Sequence, residues 1–195
     1  MAKTNRDLQK SMTRQHLLEI AFVEFGKKGL LATPTLDLAR AAGVAHGTLF
    51  THFPSREDLV VAVIEEFGAR ITQRLHELTE GGGGLREILA AHLQGIKEFE
   101  PFYTRLISEL RLLPREARGT MVMIQSAISF HVMQSADWEM SSGKIRVLPF
   151  HLLFNQWLGL LHHYLMNGDL FAPGESVIAR YGTELLDYYL NLLRT

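Results

Sequence analysis

The sequence contains no cysteine. This absence excludes disulfide bonds, thiolate metal sites and a cysteine nucleophile, and it is typical of proteins kept in a reducing compartment. The first fifteen residues also lack the apolar segment that a secretory signal requires. We therefore expect a cytoplasmic protein of one or two domains, because 195 residues with 47% hydrophobic composition can bury a substantial core.

One stretch, residues 147–168, has no Asp, Glu, Lys or Arg and approaches the length of about 20 residues that a bilayer span needs. Polar side chains nevertheless recur around it, namely His151, Asn155, Gln156, His162 and His163. Each of them would need a hydrogen-bonding partner in hydrocarbon. The pattern therefore favours a helix that packs against protein, and no association with a membrane is expected.

The charge is unevenly distributed, although the chain as a whole carries a net charge of −1. Residues 1–56 hold eight lysines and arginines against four acidic residues, a net charge of +4. The remainder holds 12 basic and 17 acidic residues, a net charge of −5. A basic end on an acidic body is typical of a chain that presents that end to a polyanion, although chance clustering gives the same count.

Apolar residues recur at three- and four-residue spacing in every segment, whereas strand-like alternation and internal repeats are absent. The pattern predicts an all-α protein of about nine helices, at residues 11–28, 35–43, 46–53, 56–79, 85–100, 102–113, 115–140, 147–167 and 176–194. Four consecutive glycines at 81–84 predict a flexible joint. We expect an N-terminal domain over 1–55 and a C-terminal helical domain over 56–195, connected by the helix at 56–79.

The second and third predicted helices are short and are joined by a turn at Gly43, behind a longer first helix. This order is typical of a helix-turn-helix, in which the last helix reads DNA. Leu49, Phe50 and Phe53 are spaced to face the other helices. The opposite face is left to four polar side chains that suit base edges and phosphates, His46, Thr48, Thr51 and His52. Gly47 leaves room for a close approach. The alternative is that this geometry serves helix packing alone.

Residues 17–60 read LLEIAFVEFGKKGLLATPTLDLARAAGVAHGTLFTHFPSREDLV. This run resembles the DNA-binding region of the TetR (tetracycline repressor) family. The resemblance implies a homodimeric regulator of transcription, usually a repressor, that binds a double-stranded DNA operator. It also implies that the C-terminal domain binds a small molecule that alters the affinity for DNA.

The resemblance assigns a phosphate contact to Thr35, and base or phosphate contacts to Gly47, Thr48 and His52. Arg56 stands where the family commonly has a lysine. Three positions depart from the family pattern, because alanine, histidine and phenylalanine replace the usual serine, lysine and tyrosine: Ala45, His46 and Phe50. The full set of expected DNA contacts is Thr35, Arg40, Ala45, His46, Gly47, Thr48, Phe50, Thr51, His52 and Arg56.

The third helix carries no permanent cation. If it binds DNA, the phosphates must be neutralised by basic residues elsewhere in the N-terminal region, namely Lys3, Arg6, Lys10, Arg14, Lys27, Lys28, Arg40 and Arg56. Binding is therefore expected to weaken steeply as the salt concentration rises.

Large adaptable apolar side chains are concentrated between residues 99 and 138. Methionine and aromatic residues line pockets for lipophilic or aromatic ligands, but they also fill ordinary cores, and only the family resemblance favours the first interpretation. His131 and Gln134, one turn apart, are the candidates for orienting a ligand, although His131 also fits a core position. The expected ligand contacts are Phe99, Phe102, Tyr103, Met121, Ile124, Ile128, His131, Gln134 and Trp157.

The last two long predicted helices have the composition of an association surface. Two such helices from each of two subunits would form a four-helix bundle around a twofold axis. Gly159 would permit a close approach of helices. The expected interface residues of this homodimer are Leu152, Gln156, Gly159, His163, Tyr181, Leu185 and Tyr188.

An enzyme is the first rival class. His162 and His163 are adjacent and point about 100° apart on a helix, and no HExxH pattern is present. The glycine run at 81–84 lacks the lysine and the preceding strand of a phosphate-binding loop. No catalytic residue, metal or cofactor is therefore expected. The second rival is a DNA-binding regulator without a small-molecule pocket, which a protein partner controls.

Overall fold

The computed structural model describes residues 5–79 and 83–194. The predicted joint residues Gly81 and Gly82 and the predicted cation Lys3 lie outside the described residues. Within these ranges the chain forms ten α-helices and no strand, which confirms the all-α prediction. The helices are α1 Asn5–Lys28, α2 Thr35–Ala41, α3 His46–His52, α4 Arg56–Thr79, α5 Leu85–Glu98, α6 Glu100–Glu109, α7 Arg115–Ser141, α8 Phe150–Met166, α9 Gly168–Phe171 and α10 Val177–Leu193, with a 3₁₀ turn at Leu110–Leu112.

The helices differ most from the prediction at two places, while several other helix ends shift by a few residues. Helix α1 begins at Asn5 rather than at residue 11, because its first turns bury no apolar stripe and so give no periodic signal. Helix α9 forms within a predicted loop, where the amides of Leu170 and Phe171 donate to the carbonyl oxygen of Asn167 at 3.0 and 3.1 Å. A single turn is too short for periodicity to reveal.

The described chain divides into two compact units. The first contains residues up to 67 together with 101–120, and the second contains residues 68–100 together with 121 onward. Helix α4 thus contributes its first half to one unit and its second half to the other. The domain boundary at 55 stays a prediction.

Aromatic rings form the centre of the first unit. Phe102 meets Phe22 edge-on at a centroid distance of 5.0 Å and Phe67 at 5.4 Å. Tyr103 stacks on Phe67 at 5.3 Å. All four rings are buried, so this cluster fixes α1, the first half of α4 and α6 against one another through apolar burial.

The core of the second unit contains α5, α8 and α10 and includes a few buried polar groups. Trp157 donates its indole N–H to Nδ1 of His92 at 3.1 Å, and the hydroxyl of Tyr189 donates to the carbonyl oxygen of Leu153. The buried carboxylate of Glu100 accepts from the backbone amides of Val177 and Ile178 at 2.7 and 3.2 Å. Glu100 therefore satisfies free donors at the start of α10.

Acid is expected to destabilise the second unit through two histidines. Burial lowers the pKa of His92 to about 3 and that of His162 to about 4. The unfolded chain takes up these protons near pH 6.5, whereas the folded protein takes them up only at much lower pH. Folding stability is therefore lost as the pH falls below about 6.5, by at most about 2 kcal/mol per histidine at pH 5.

The measurement is the free energy of unfolding in urea at several pH values between about 7 and about 5. His162→Gln should reduce the loss on acidification by up to half, since one of the two titrating groups is gone. His151→Gln, at an exposed position, is the matched control and should follow the parent. Parallel curves for the parent and His162→Gln would contradict the assignment.

Candidate nucleic-acid interface

Helices α2 and α3 are held by a short turn and a shared buried face. Gly43 adopts a left-handed conformation with φ of 66°, and the amide of Val44 donates to the carbonyl oxygen of Ala39 at 3.0 Å. Leu49 and Phe53 are fully buried, as is Leu38 of α2. A helix of seven residues is not stable alone in water, so this burial sets the orientation of α3.

The face of α3 opposite Leu49 is open to solvent. His46, Gly47 and Thr51 are exposed, as is Ala45 before the helix, while Thr48 and His52 are half-buried. Phe50 is 37% exposed, so the prediction that it faces inward is wrong. Its ring instead contacts the ring of His46 edge-on at 5.0 Å. The reason is geometric, because one residue beyond Leu49 the helix has turned by about 100°.

Gly47 has no packing requirement within the protein. A Cβ atom built at this position meets no atom within 4 Å, and its backbone does not need glycine's conformational freedom. An external surface that approaches the backbone closely would explain the absence of a side chain.

Two threonines of this region already make internal hydrogen bonds. Oγ1 of Thr35 lies 3.0 Å from Nε2 of His46, which connects the first residues of α2 and α3. The hydroxyl of Thr51 donates to the carbonyl oxygen of Gly47 at 3.1 Å. Both oxygens retain the capacity to form further hydrogen bonds. The side chain of Ala45, the N-cap residue, accepts no hydrogen bond, so α3 begins with free backbone N–H groups.

Most of the basic residues near α2 are engaged. Lys27 pairs with Glu24 at 2.9 Å, and Lys28 lies 3.4 Å from Glu24 and 3.3 Å from Asp37. Side-chain hydrogen bonding to Lys27 is the largest influence that lowers the pKa of Glu24. Arg40 makes only a loose pair with Asp37, at 4.0 Å.

Arg56 holds the loop between α1 and α2. Its guanidinium group donates to the carbonyl oxygen of Leu30 and, at 3.1 Å, to that of Leu31. From the other side, the carboxylate of Glu109 accepts the amide of Leu31 at 2.8 Å. Gly29 takes φ of 94° there, and an added Cβ would collide with Glu109. Arg56 and Glu109, which carry opposite charges, therefore fix the loop that leads into α2 through hydrogen bonds to its backbone.

The expected ligand contacts do not converge on one cavity. His131 and Gln134 line an open cleft of about 700 Å³ with Glu87, Trp138 and Lys144. Phe102 and Tyr103 belong to the aromatic core of the first unit, and Trp157 is buried against His92. Met121 and Ile128 are buried, Ile124 lies against Gly68, and Phe99 lies under the guanidinium group of Arg70 at 5.5 Å.

The expected ligand contacts do not include the other residues of this cleft, among them Glu87, Trp138 and Lys144, although Trp138 ends the apolar segment singled out in the sequence. The ammonium group of Lys144 lies 4.1 Å from the centroid of the Trp138 ring, and this ring is 57% exposed. A second groove, of about 450 Å³, runs between α7 and α8 and is lined by Phe130, Met133, Phe154 and Asn155 among others. The ligand contacts stay predictions.

The expected dimer contacts lie in two environments. Leu152, Gln156, Gly159, His163 and Tyr188 are exposed on α8 and α10. Tyr181 is half-buried and donates its hydroxyl to the carbonyl oxygen of Phe171 at 3.1 Å, whereas Leu185 is buried within the protomer.

Across the part of the chain that the structure describes, no group of three or more His, Asp or Glu side chains is arranged to hold a metal ion. None of the helices in the same ranges is both long and apolar enough to span a bilayer.

Residues 17–63 match the sequence family described as bacterial regulatory proteins, tetR family. This region contains α2, α3 and the turn between them. The DNA-binding region of the chain is therefore similar to that of the TetR family. The predictions of the family, of the helix-turn-helix and of a transcriptional regulator are confirmed.

Two proteins of similar sequence and one of similar fold extend the match. The transcriptional regulator AcrR of Shigella flexneri is 29% identical over 96% of this chain and 93% of its own length. The repressor KstR2 of Rhodococcus jostii is 37% identical, over 42% of this chain and 40% of its own. The structure of FadR from Bacillus subtilis, in complex with stearoyl-CoA, has a TM-score of 0.73 at 16% identity, covering 90% and 97% of the two chains. AcrR and KstR2 are both named as regulators of transcription, which confirms the expectation of a non-enzymatic regulator.

The geometry gives Arg56 a role that differs from the phosphate contact implied by the family resemblance. Arg56→Met should lower the free energy of unfolding by about 2 kcal/mol, because charged hydrogen bonds to two carbonyl groups are lost. The slope of log affinity for DNA against log salt concentration should stay unchanged. Arg40→Met, at a far more exposed guanidinium group, should keep the stability of the parent.

The measurements are urea denaturation and fluorescence anisotropy with labelled duplex DNA over a range of salt. A salt slope that drops by about 2 per dimer in Arg56→Met, with unchanged stability, would instead assign this residue to a phosphate.

Proposed function

We propose that the chain is a homodimeric repressor that binds a palindromic operator with two copies of α3 and is released by a small, largely apolar molecule. The observation that carries the DNA-binding part is the polar, solvent-facing side of α3 around Gly47, a glycine that the protein's own packing does not require. Its neighbours Thr48, Thr51 and His46 offer short donors and acceptors for base edges and phosphates.

Exposed apolar side chains on α8 and α10 support the homodimer. Leu152 is 44% exposed, and Tyr188 and Leu192 are similarly open to solvent. At Gly159 an added Cβ would meet no atom of the protomer, so a helix of a second copy has room to approach. Pairing α8 and α10 across a twofold axis would give each assembly two α3 helices, one for each half-site of a palindromic operator.

An open cleft and a protein of similar fold support a small-molecule effector. The cleft that contains His131 and Gln134 has a volume of about 700 Å³, within the usual range for ligand sites. Its exposed indole ring at Trp138 offers an apolar platform. The similar fold of FadR holds stearoyl-CoA, a ligand with a long apolar chain. Native mass spectrometry of the purified protein would report both the mass of the assembly and any retained molecule.

The DNA-binding function is tested by selection of bound sequences from a random duplex pool, followed by one matched pair of variants. Thr51→Val removes a hydroxyl from α3 and should weaken operator binding about thirtyfold, since each dimer loses two hydrogen bonds of about 1 kcal/mol. Thr120→Val is the control, because Thr120 makes the same hydrogen bond to the residue four positions earlier in α7.

Anisotropy titrations at one salt concentration compare the two variants. Selection of no sequence by the parent would refute the proposed function. Equal affinity of the parent and Thr51→Val would remove Thr51 from the interface.

The dimer is tested by sedimentation of the full chain at micromolar concentration. Leu152→Glu places a charge on each side of the proposed interface and should yield monomers. Leu112→Glu, in the 3₁₀ turn and 73% exposed, is the control and should stay dimeric. A parent that sediments as a monomer, or a dimeric Leu152→Glu, would exclude this interface.

A further inference from the structure

The first three turns of α1 extend beyond the packed part of that helix. Burial in α1 begins at Leu17. Residues 5–16 are all exposed except Thr13, which is half-buried, and even the apolar Leu8 and Met12 are open to solvent. These twelve residues span about 18 Å of helix. We refer to this segment, residues 5–16, as the arm.

The arm carries one row of cations. Arg6, Lys10 and Arg14 recur every four residues and therefore lie along one side of the helix. The guanidinium carbon of Arg14 lies 5.1 Å from the centre of the Phe53 ring, at the end of α3. The row therefore runs beside the end of the proposed recognition helix.

A cleft of about 760 Å³ separates the arm from α3. Arg6, Lys10 and Thr13 line it from the arm, together with Asn5, Asp7 and Gln9, and Thr51 and His52 line it from α3. Asp7 supplies the only negative charge among these residues. The cleft, with Arg14 at its end, therefore has a net positive charge.

Nδ1 of His52 lies at the base of this region without a hydrogen-bond partner, although it is excluded from solvent. Burial lowers the pKa of His52, and the positive charges of Lys10 and Arg14 lower it further. Buried polar atoms in folded proteins normally have a hydrogen-bond partner. The unpartnered nitrogen beside two cations therefore indicates a surface that binds a molecule from outside the protein.

The cations of the arm differ from the other basic residues of the N-terminal region. Lys27 and Lys28 are paired with Glu24 and Asp37, and Arg56 is bonded to backbone carbonyls. Arg6 and Lys10 make no ion pair with any described residue. A polyanion that approaches α3 would therefore meet them without having to displace an internal partner.

We propose that the arm is a second DNA-binding element, in which Arg6, Lys10 and Arg14 bind backbone phosphates of the operator that lie beside the end of α3. The arm is long enough to follow about five base pairs of duplex at 3.4 Å each. It supplies affinity without sequence information, because phosphate contacts are the same for every base pair. The inference rests on the proposed function.

The test compares the full-length parent with two double variants. Arg6→Gln with Lys10→Gln neutralises the arm at exposed positions and leaves the Arg14–Phe53 contact intact. Lys27→Gln with Lys28→Gln removes the same number of charges from the paired lysines and is the matched control. Operator affinity is measured by anisotropy from about 50 to about 300 mM NaCl, with a scrambled duplex in parallel.

The arm variant should lower the slope of log affinity against log salt by about 3 to 4 per dimer, since four phosphate contacts are lost. Its affinity should fall for operator and scrambled duplex alike, so that their ratio is kept. The slope of the control variant should fall by much less, because Lys27 and Lys28 are paired with Glu24 and Asp37 and gain less from a phosphate.

If the arm variant has the same salt slope as the parent, the arm does not bind operator phosphates, while the proposed function remains in place. The same result would follow if the arm served an acidic protein partner instead. A changed ratio between operator and scrambled duplex would also overturn the proposal, because the arm would then read bases. If the parent itself selects no sequence, the proposed function is refuted, and the DNA-binding role of the arm is refuted with it.

Discussion

The burial of Leu49 and Phe53 is the constraint on which the interface depends. Helix α3 has only seven residues, begins without a side-chain cap and contains a glycine, so its own propensity cannot maintain it. The apolar contacts of Leu49 and Phe53 stabilise the helix and also determine which of its faces is exposed to solvent. A polar residue at either position would therefore disturb the presentation of Thr48 and Thr51 without touching DNA.

Charged side chains form hydrogen bonds with otherwise free backbone groups at the start of several helices and loops. Glu109 and Arg56 hold the loop before α2, and Glu100 accepts the first amides of α10. Glu139 accepts the amide of Leu85 at the start of α5, at 2.7 Å. Each of these partners is distant in sequence, so the ends of these elements are set by tertiary structure. This explains why a residue such as Arg56 can occupy a family DNA-contact position and still be needed within the protein.

The sequence predicted those parts of the structure that depend on local spacing. The stripe at Leu18, Phe22 and Phe25 marks α1, and the turn at Gly43 marks the helix-turn-helix. The arm was missed at its start because it has no buried side, and Phe50 was misplaced because neighbouring residues in a helix point in different directions. The scattering of the expected ligand residues has another cause. Aromatic side chains that pack together and those that line a cleft have the same composition, and only tertiary structure separates Phe102 from Trp138.

The same distinction applies to charge. The number of cations predicts a basic N-terminal region. The contribution of each cation to DNA binding, however, also depends on the ion pairs that it already makes within the protein. When Lys28 turns to a phosphate, Glu24 and Asp37 remain nearby and repel the same phosphate, so the gain is partly cancelled. Arg6 and Lys10 have no such neighbour bound to them. Two regions with equal formal charge therefore differ in affinity for a polyanion, and the exposed arm, which packs against little, is favoured over the packed helix ends.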